Sequence, residues 1–174
     1  GTIVRLNQSV DVTVFGKFTI NGTRSRPVVF MPASRAQPWG GFLLQGNTSQ
    51  LAATGVIFTG SGAARNWFGT GGRPDSHRKE QALFYCTNSP ILSLTDCAAI
   101  YLAGQWGHAV NGGTFNLAHF LMQRCSTGGE FTGATFNVND SAFLECPDDT
   151  ANYEDGDNDA LYIVSGNHGF TNTV

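Results

Sequence analysis

Charge is scarce in this chain. Only 13% of its 174 residues are Asp, Glu, Lys or Arg, and the formal net charge is −3. With so small a balance and no basic stripe, nucleic acid is not an expected partner. Long apolar runs are missing as well. None approaches the roughly 18 residues that a spanning helix needs, so no membrane span is expected. No stretch repeats its apolar residues with a helical period. No secretory leader and no initiating Met stand at the start. The chain opens inside a strand-like stretch, Gly1-Thr2-Ile3-Val4, and stops inside another, Phe170 to Val174. The expectation is one domain, 1–174, cut from a longer chain.

What is present points to strands and turns. The chain has 22 Gly and 13 Phe, with many Asn, Thr and Ser. Three pieces superimpose: Leu92-Ser93-Leu94-Thr95-Asp96, Phe115-Asn116-Leu117-Ala118-His119 and Phe136-Asn137-Val138-Asn139-Asp140. Their spacings are 23 and 21 residues. In each, two apolar residues alternate with small or polar ones, which is a strand period. A repeat of this length with one short strand per register marks a solenoid. The fold class expected is all-β: a right-handed parallel β-helix of about 21–24 residues per coil. Upstream, short strands end at Gly16, Asn21-Gly22 and Gln45-Gly46-Asn47, and Leu51 to Phe58 reads as one strand. One long inserted loop is expected near 60–80, where Gly-rich runs flank Trp67 and Phe68. Arg65, Arg73, His77, Arg78 and Lys79 make it the most basic part of the chain. It reads either as a functional loop on a rigid scaffold or as a solvated cover.

Four Cys stand at 86, 97, 125 and 146. Cys125 and Cys146 each lie ten residues after a ladder Phe, so neighbouring coils would stack them about 4.8 Å apart. That separation suits a disulfide as well as a stack of buried thiols. The registers of Cys86 and Cys97 predict no pairing.

Three constellations could carry chemistry. The first is acidic: Asp148, Asp149, Glu154, Asp155, Asp157 and Asp159 place six of the 13 carboxylates within twelve residues. Such crowding calls for solvation or for a cation, and hard oxygens spaced by Gly and Asn suit Ca²⁺. The match to the helix-loop-helix calcium loop is poor, because no Glu stands at its twelfth place. The second is a column at the ends of the ladder strands: Asp96, His119 and Asp140, with Asn172 aligned beyond them. Two carboxylates flanking an imidazole suggest an acid/base pair. Two coils would set the carboxyls about 9.6 Å apart, at the upper edge of the inverting-glycosidase range of roughly 6.5–9.5 Å. The competing reading is that turns recruit Asp, His and Asn to satisfy backbone groups. The third is His77, Arg78 and Lys79, the bases a lyase would use for β-elimination beside a bound cation. Trp39, Trp67 and Trp106 are candidate sugar platforms, or else core aromatics.

Two motifs carry a resemblance. Arg124-Cys125-Ser126-Thr127-Gly128-Gly129-Glu130-Phe131 and Asp155-Gly156-Asp157-Asn158-Asp159-Ala160-Leu161-Tyr162 follow an upstream pattern of Gly22-Thr23, Pro27-Val28 and Trp39-Gly40-Gly41. Together they resemble parallel β-helix segments of large secreted bacterial proteins that also carry spore-coat-kinase-like (CotH) or lamin-tail-like domains. The resemblance implies an extracellular or cell-envelope location and supplies no catalytic set. Two functions are therefore expected to compete. One is a non-catalytic solenoid for binding, spacing or assembly, braced by Ca²⁺. Its partners would be further coils, a second chain or a self-copy stacking on open ends. The alternative is a carbohydrate-active enzyme, a polysaccharide lyase or glycosidase, acting on a polysaccharide.

Overall fold

The computed structural model describes residues 1–62, 82–125, 128–146 and 160–174. These residues build six coils of three strands each. The first coil is β1 (Thr2–Leu6), β2 (Val12–Val14) and β3 (Lys17–Asn21), and the second is β4 (Val28–Pro32), β5 (Phe42–Gln45) and β6 (Gln50–Thr54). The third is β7 (Val56–Thr59), β8 (Ala82–Thr87) and β9 (Ile91–Thr95). The fourth is β10 (Ala98–Leu102), β11 (Gln105–Val110) and β12 (Gly113–Ala118). The fifth is β13 (Leu121–Cys125), β14 (Gly129–Phe131) and β15 (Ala134–Asn139). The sixth is β16 (Ala142–Leu144), β17 (Tyr162–Ile163) and β18 (His168–Thr171). Among the described residues there is no helix.

Each coil contributes one strand to each of three six-stranded sheets. The first sheet runs β1-β4-β7-β10-β13-β16, the second β2-β5-β8-β11-β14-β17, and the third β3-β6-β9-β12-β15-β18. Every strand pairing between coils is parallel, which makes the chain a parallel β-helix. Coil length follows from the register. Thr114 pairs with Ile91 and Leu121 with Ala142, steps of 23 and 21 residues, as the ladder predicts. Other coils are longer. Phe42 pairs with Phe84, a step of 42, and Phe136 with His168, a step of 32. The first of these carries its extra length between Thr59 and Ala82, the place expected for the inserted loop. Residues 63–81 of that loop, including Arg65, Trp67, Arg73, His77, Arg78 and Lys79, lie outside the described residues.

The strand period builds the core directly. In β12, Phe115 and Leu117 are buried while Thr114, Asn116 and Ala118 face outward. Phe115 sits on Leu92 below and Phe136 above, and Leu117 sits between Leu94 and Val138. Like thus stacks on like: the Phe115 and Phe136 rings lie 4.9 Å apart at 14°. Trp39 and Trp106 are fully buried, with indole N–H groups donating to the carbonyls of Thr59 and Ala160. They are core aromatics and not sugar platforms. Their size explains this, because a narrow core gains most from its largest apolar surfaces. Gly107 and Gly129 keep the space that the Phe131 ring fills; a Cβ at either would come within 3 Å of that ring.

One expectation needs correction, and one open alternative closes. Leu51 to Phe58 is two strands, β6 and β7, broken at Gly55 with φ +62°. The apolar pattern runs across the corner because a single left-handed residue turns the chain into the next sheet. Of the two readings of the Cys125–Cys146 stack, the thiols hold, because no disulfide joins any of the four Cys. The β13–β16 register does carry them to neighbouring positions. Burial pushes the Cys86 and Cys125 thiols far above their ordinary value, which keeps both protonated and weakly nucleophilic.

Candidate functional site

The corner between the third sheet and the first builds the column read from the ladder. Thr95, Ala118 and Asn139 are in register, so Asp96, His119 and Asp140 follow one above another. All three, and Asn172 beyond them, are left-handed, with φ of 52°, 51°, 48° and 48°. The position one coil earlier is Gly55, also left-handed with φ +62°. Asp and Asn tolerate this conformation because their short polar side chains bond locally. The backbone ladder continues through the corner: Asp96 N–H donates to Ala118 O, His119 N–H to Asn139 O, and Asp140 N–H to Thr171 O. The side chains are therefore released outward and meet one another.

They form a chain of contacts. Arg24, held by the tight turn from Thr23 to Arg26, reaches past Gly55 to Asp96. Its Nε and Nη2 both donate to Asp96 Oδ1, at 2.9 and 2.6 Å. His119 Nδ1 lies 3.1 Å from Asp96 Oδ1, and its Nε2 lies 3.8 Å from Asp140 Oδ2. Asn172 Nδ2 donates to Asp140 Oδ1 at 3.1 Å. The hydrogen bond from Arg24 holds the Asp96 carboxyl below the usual carboxylate range, against the opposing pull of partial burial; His119 adds to the lowering. Asp96 is thus an anion at neutral pH and cannot donate a proton. A cleft of about 340 Å³ opens beside it, lined by Arg24, Ile57, Asp96 and His119 among others.

The structure brings together Asp96, His119 and Asp140, and adds Arg24, whose partnership across 72 residues no local spacing announces. The acidic set Asp148, Asp149, Glu154, Asp155, Asp157 and Asp159 lies outside the described residues. Among the described residues, no group of three or more His, Cys, Asp and Glu could hold a metal ion.

Two further columns escaped the sequence reading. On the outer face of the second sheet, Tyr85, His108 and Glu130 share one register position. All three side chains are largely buried, with His108 Nδ1 3.2 Å from Gln105 Oε1 and 3.9 Å from Glu130 Oε2. At the corner from the first sheet to the second, Tyr101, Arg124 and Glu145 are all left-handed. Arg124 Nε donates to Glu145 Oε2 at 2.6 Å, and its guanidinium lies 5.5 Å from the Tyr101 ring centre. The signal for both was the spacing of 21 to 23 residues, applied to polar residues outside the ladder.

Compared with family models, curated proteins and solved structures, the chain matches none.

Proposed function

We propose that this chain is a non-catalytic β-solenoid that serves as a spacer and assembly module of an extracellular or cell-envelope protein. The observation that supports it best is the use of the Asp96–His119–Asp140 column. Its side chains are in contact end to end, from Arg24 to Asn172, beside a backbone ladder that runs through the same corner. A continuous ladder between coils is what a load-bearing stack needs. The Arg24 hydrogen bond holds Asp96 as an anion, which leaves it a weaker base and no acid at neutral pH. The location rests on the resemblance of the Arg124–Phe131 and Asp155–Tyr162 stretches to secreted bacterial solenoids. Calcium, held by the carboxylates between Asp148 and Asp159, is proposed as a brace for the last coil.

The second reading is a carbohydrate-active enzyme, favoured by the cleft beside His119 and by the exposure of His119 and Asp140, each about half exposed. There Asp96 could serve only as base and Asp140 as acid. The two readings separate in one experiment. Asp140→Asn and His119→Ala are compared with the parent chain for melting temperature and for product release from a panel of neutral and uronic polysaccharides. The scaffold reading expects lower melting temperatures and no product from any form. Product from the parent, lost in Asp140→Asn at unchanged melting temperature, would establish the enzyme.

A further inference from the structure

We infer that the outer face of the first sheet is a dimer interface, on which a second copy of this chain packs sheet against sheet with its solenoid axis reversed. The inference rests on the assembly reading above and gives it a surface and a partner. One row of outward positions on this sheet runs Ile3, Val29, Ile57, Ala98, Leu121, Ala142, apolar in every coil. All six are at least partly open to solvent, and none belongs to the core or packs against it. The other two outer faces differ. At comparable positions the third sheet presents Ser93, Asn116 and Asn137, and the second Tyr85, His108 and Glu130.

The strands of this sheet are written for two covered faces. Val28-Val29-Phe30-Met31 and Ala98-Ala99-Ile100 are continuous apolar runs, whereas Phe115-Asn116-Leu117 in the third sheet alternates. A continuous run is the mark of a parallel strand covered on both sides. Six strands of about five residues, spaced about 4.8 Å with a rise of about 3.3 Å per residue, make a face of roughly 500 Å². A face of that size dominated by apolar side chains marks an interaction site. Two copies would together bury roughly 1,000 Å², the lower limit for a specific complex, so the dimer is weak.

Bulk and charge choose the occupant and its direction. A two-fold axis lying along the strands, between the third and fourth coils, sets Ile57 of one copy against Ala98 of the other, and Tyr101 against Gly60. Tyr101 protrudes, 57% exposed, and Gly60 leaves a gap for it. Large thus meets small, and the two-fold makes each contact twice. Packed sheets lie about 10 Å apart and about 30° from aligned, so contacts near the axis are the ones the twist preserves. Tyr101 carries a second mark. It is a bulky residue held at φ 53°, where the same corner one coil earlier uses Gly60. Such strain is retained where the side chain has a task. Charge follows the same order. Arg26, on the turn before β4, comes opposite Asp140, on the corner before β16, and both are exposed. The arrangement with parallel axes would instead set Arg5 of one copy beside Arg24 and Arg26 of the other, which repels.

The test is sedimentation equilibrium of the 174-residue chain, up to about 0.5 mM because so small an area supports only a weak complex. The expected result is a monomer–dimer equilibrium with no larger species, since a two-fold contact closes on itself. Ile57→Lys and Ala98→Glu each place a charge in the middle of the face. Both positions point away from the core, so circular dichroism and melting temperature should match the parent. Dimerisation should weaken by about tenfold or more in each variant alone. Mixing the two variants should restore a dimer, because the two-fold sets the new lysine of one chain against the new glutamate of the other. A parent chain that stays monomeric throughout overturns the inference, as does a dimer indifferent to both variants. A mixture that associates no better than either variant alone overturns the reversed arrangement. Product release from polysaccharide by the parent chain sinks the scaffold reading whether or not the dimer forms, so the two failures are told apart.

Discussion

Asp96 shows how a residue's place can be legible in the sequence while its partner is not. Its position was set by a turn that demands a left-handed conformation, and its neighbours by the coil repeat. Its chemistry was set by Arg24, which bonds it from a distant coil. That partner fixes a pH dependence. The folded-state pKa of Asp96 lies below its ordinary value of 3.8, mainly through the Arg24 hydrogen bond. Glu145 is lowered in the same direction from 4.5 by the hydrogen bonds of Arg124 and Gln123. A carboxylate with a depressed pKa stabilises the fold fully above its unfolded value, and that contribution is lost as pH falls through the folded value. Stability should therefore be flat in neutral solution and fall below about pH 4. Both groups sit at the surface, so each effect is small and screened by salt. Melting curves from pH 7 to pH 3 should show this fall, shallower in Asp96→Asn and in Arg24→Ala. An equal acid slope in both variants and the parent would mean that other carboxylates carry it.

At the scale of the strand and corner, the third-sheet ladder was legible because a fixed spacing and a strand period coincide there: Phe115 and Phe136 repeat the same outward neighbours, Asn116 and Asn137. Those two outward amides are themselves bonded, Asn137 Nδ2 donating to Asn116 Oδ1 at 2.9 Å. The first-sheet strands β10, β13 and β16 were not legible. They begin two residues after a corner, and a left-handed Asp or His looks like any polar strand residue. Where the corner is Gly55, the chain read as one strand. The packing there explains why glycine is required. A Cβ at residue 55 would lie 2.6 Å from Gly22 C and Thr23 N, in addition to the strain of φ +62°. Gly55→Ala should accordingly destabilise the fold by about 1–3 kcal/mol from strain alone, and by more once the Thr23–Arg26 turn is displaced. Because Arg24 sits on that turn, its grip on Asp96 should loosen too, and Arg24→Ala should then cost less in the Gly55→Ala background than in the parent. A double-mutant cycle by chemical denaturation measures that coupling. Additive effects would mean that the turn holds Arg24 independently of the corner.

For the whole molecule, the decisive property is that strands pair only between neighbouring coils. Stability in such a stack is a sum of coil and interface contributions, and the two end coils, each with one neighbour, are the weakest. The last coil is the more exposed of the two: Tyr162, Val164, Phe170 and Val174 are all open to solvent, and β17 is only two residues long. In sequence, the acidic stretch from Asp148 to Asp159 stands between β16 and β17. Calcium bound there would join the two halves of this coil and so strengthen the weakest unit. Ligand present at a hundredfold over its dissociation constant adds about 2.7 kcal/mol to the species it binds. If the six coils melt together, that becomes a rise in melting temperature of roughly 5–10 °C for a chain of this size. If the end coil frays alone, the melting temperature barely moves, and the gain appears as slower amide exchange in β17 and β18 only. Titration calorimetry, a melt in calcium and in chelator, and hydrogen exchange under both conditions distinguish these outcomes. No heat, no shift and no change in exchange would make the acidic stretch a solvated face.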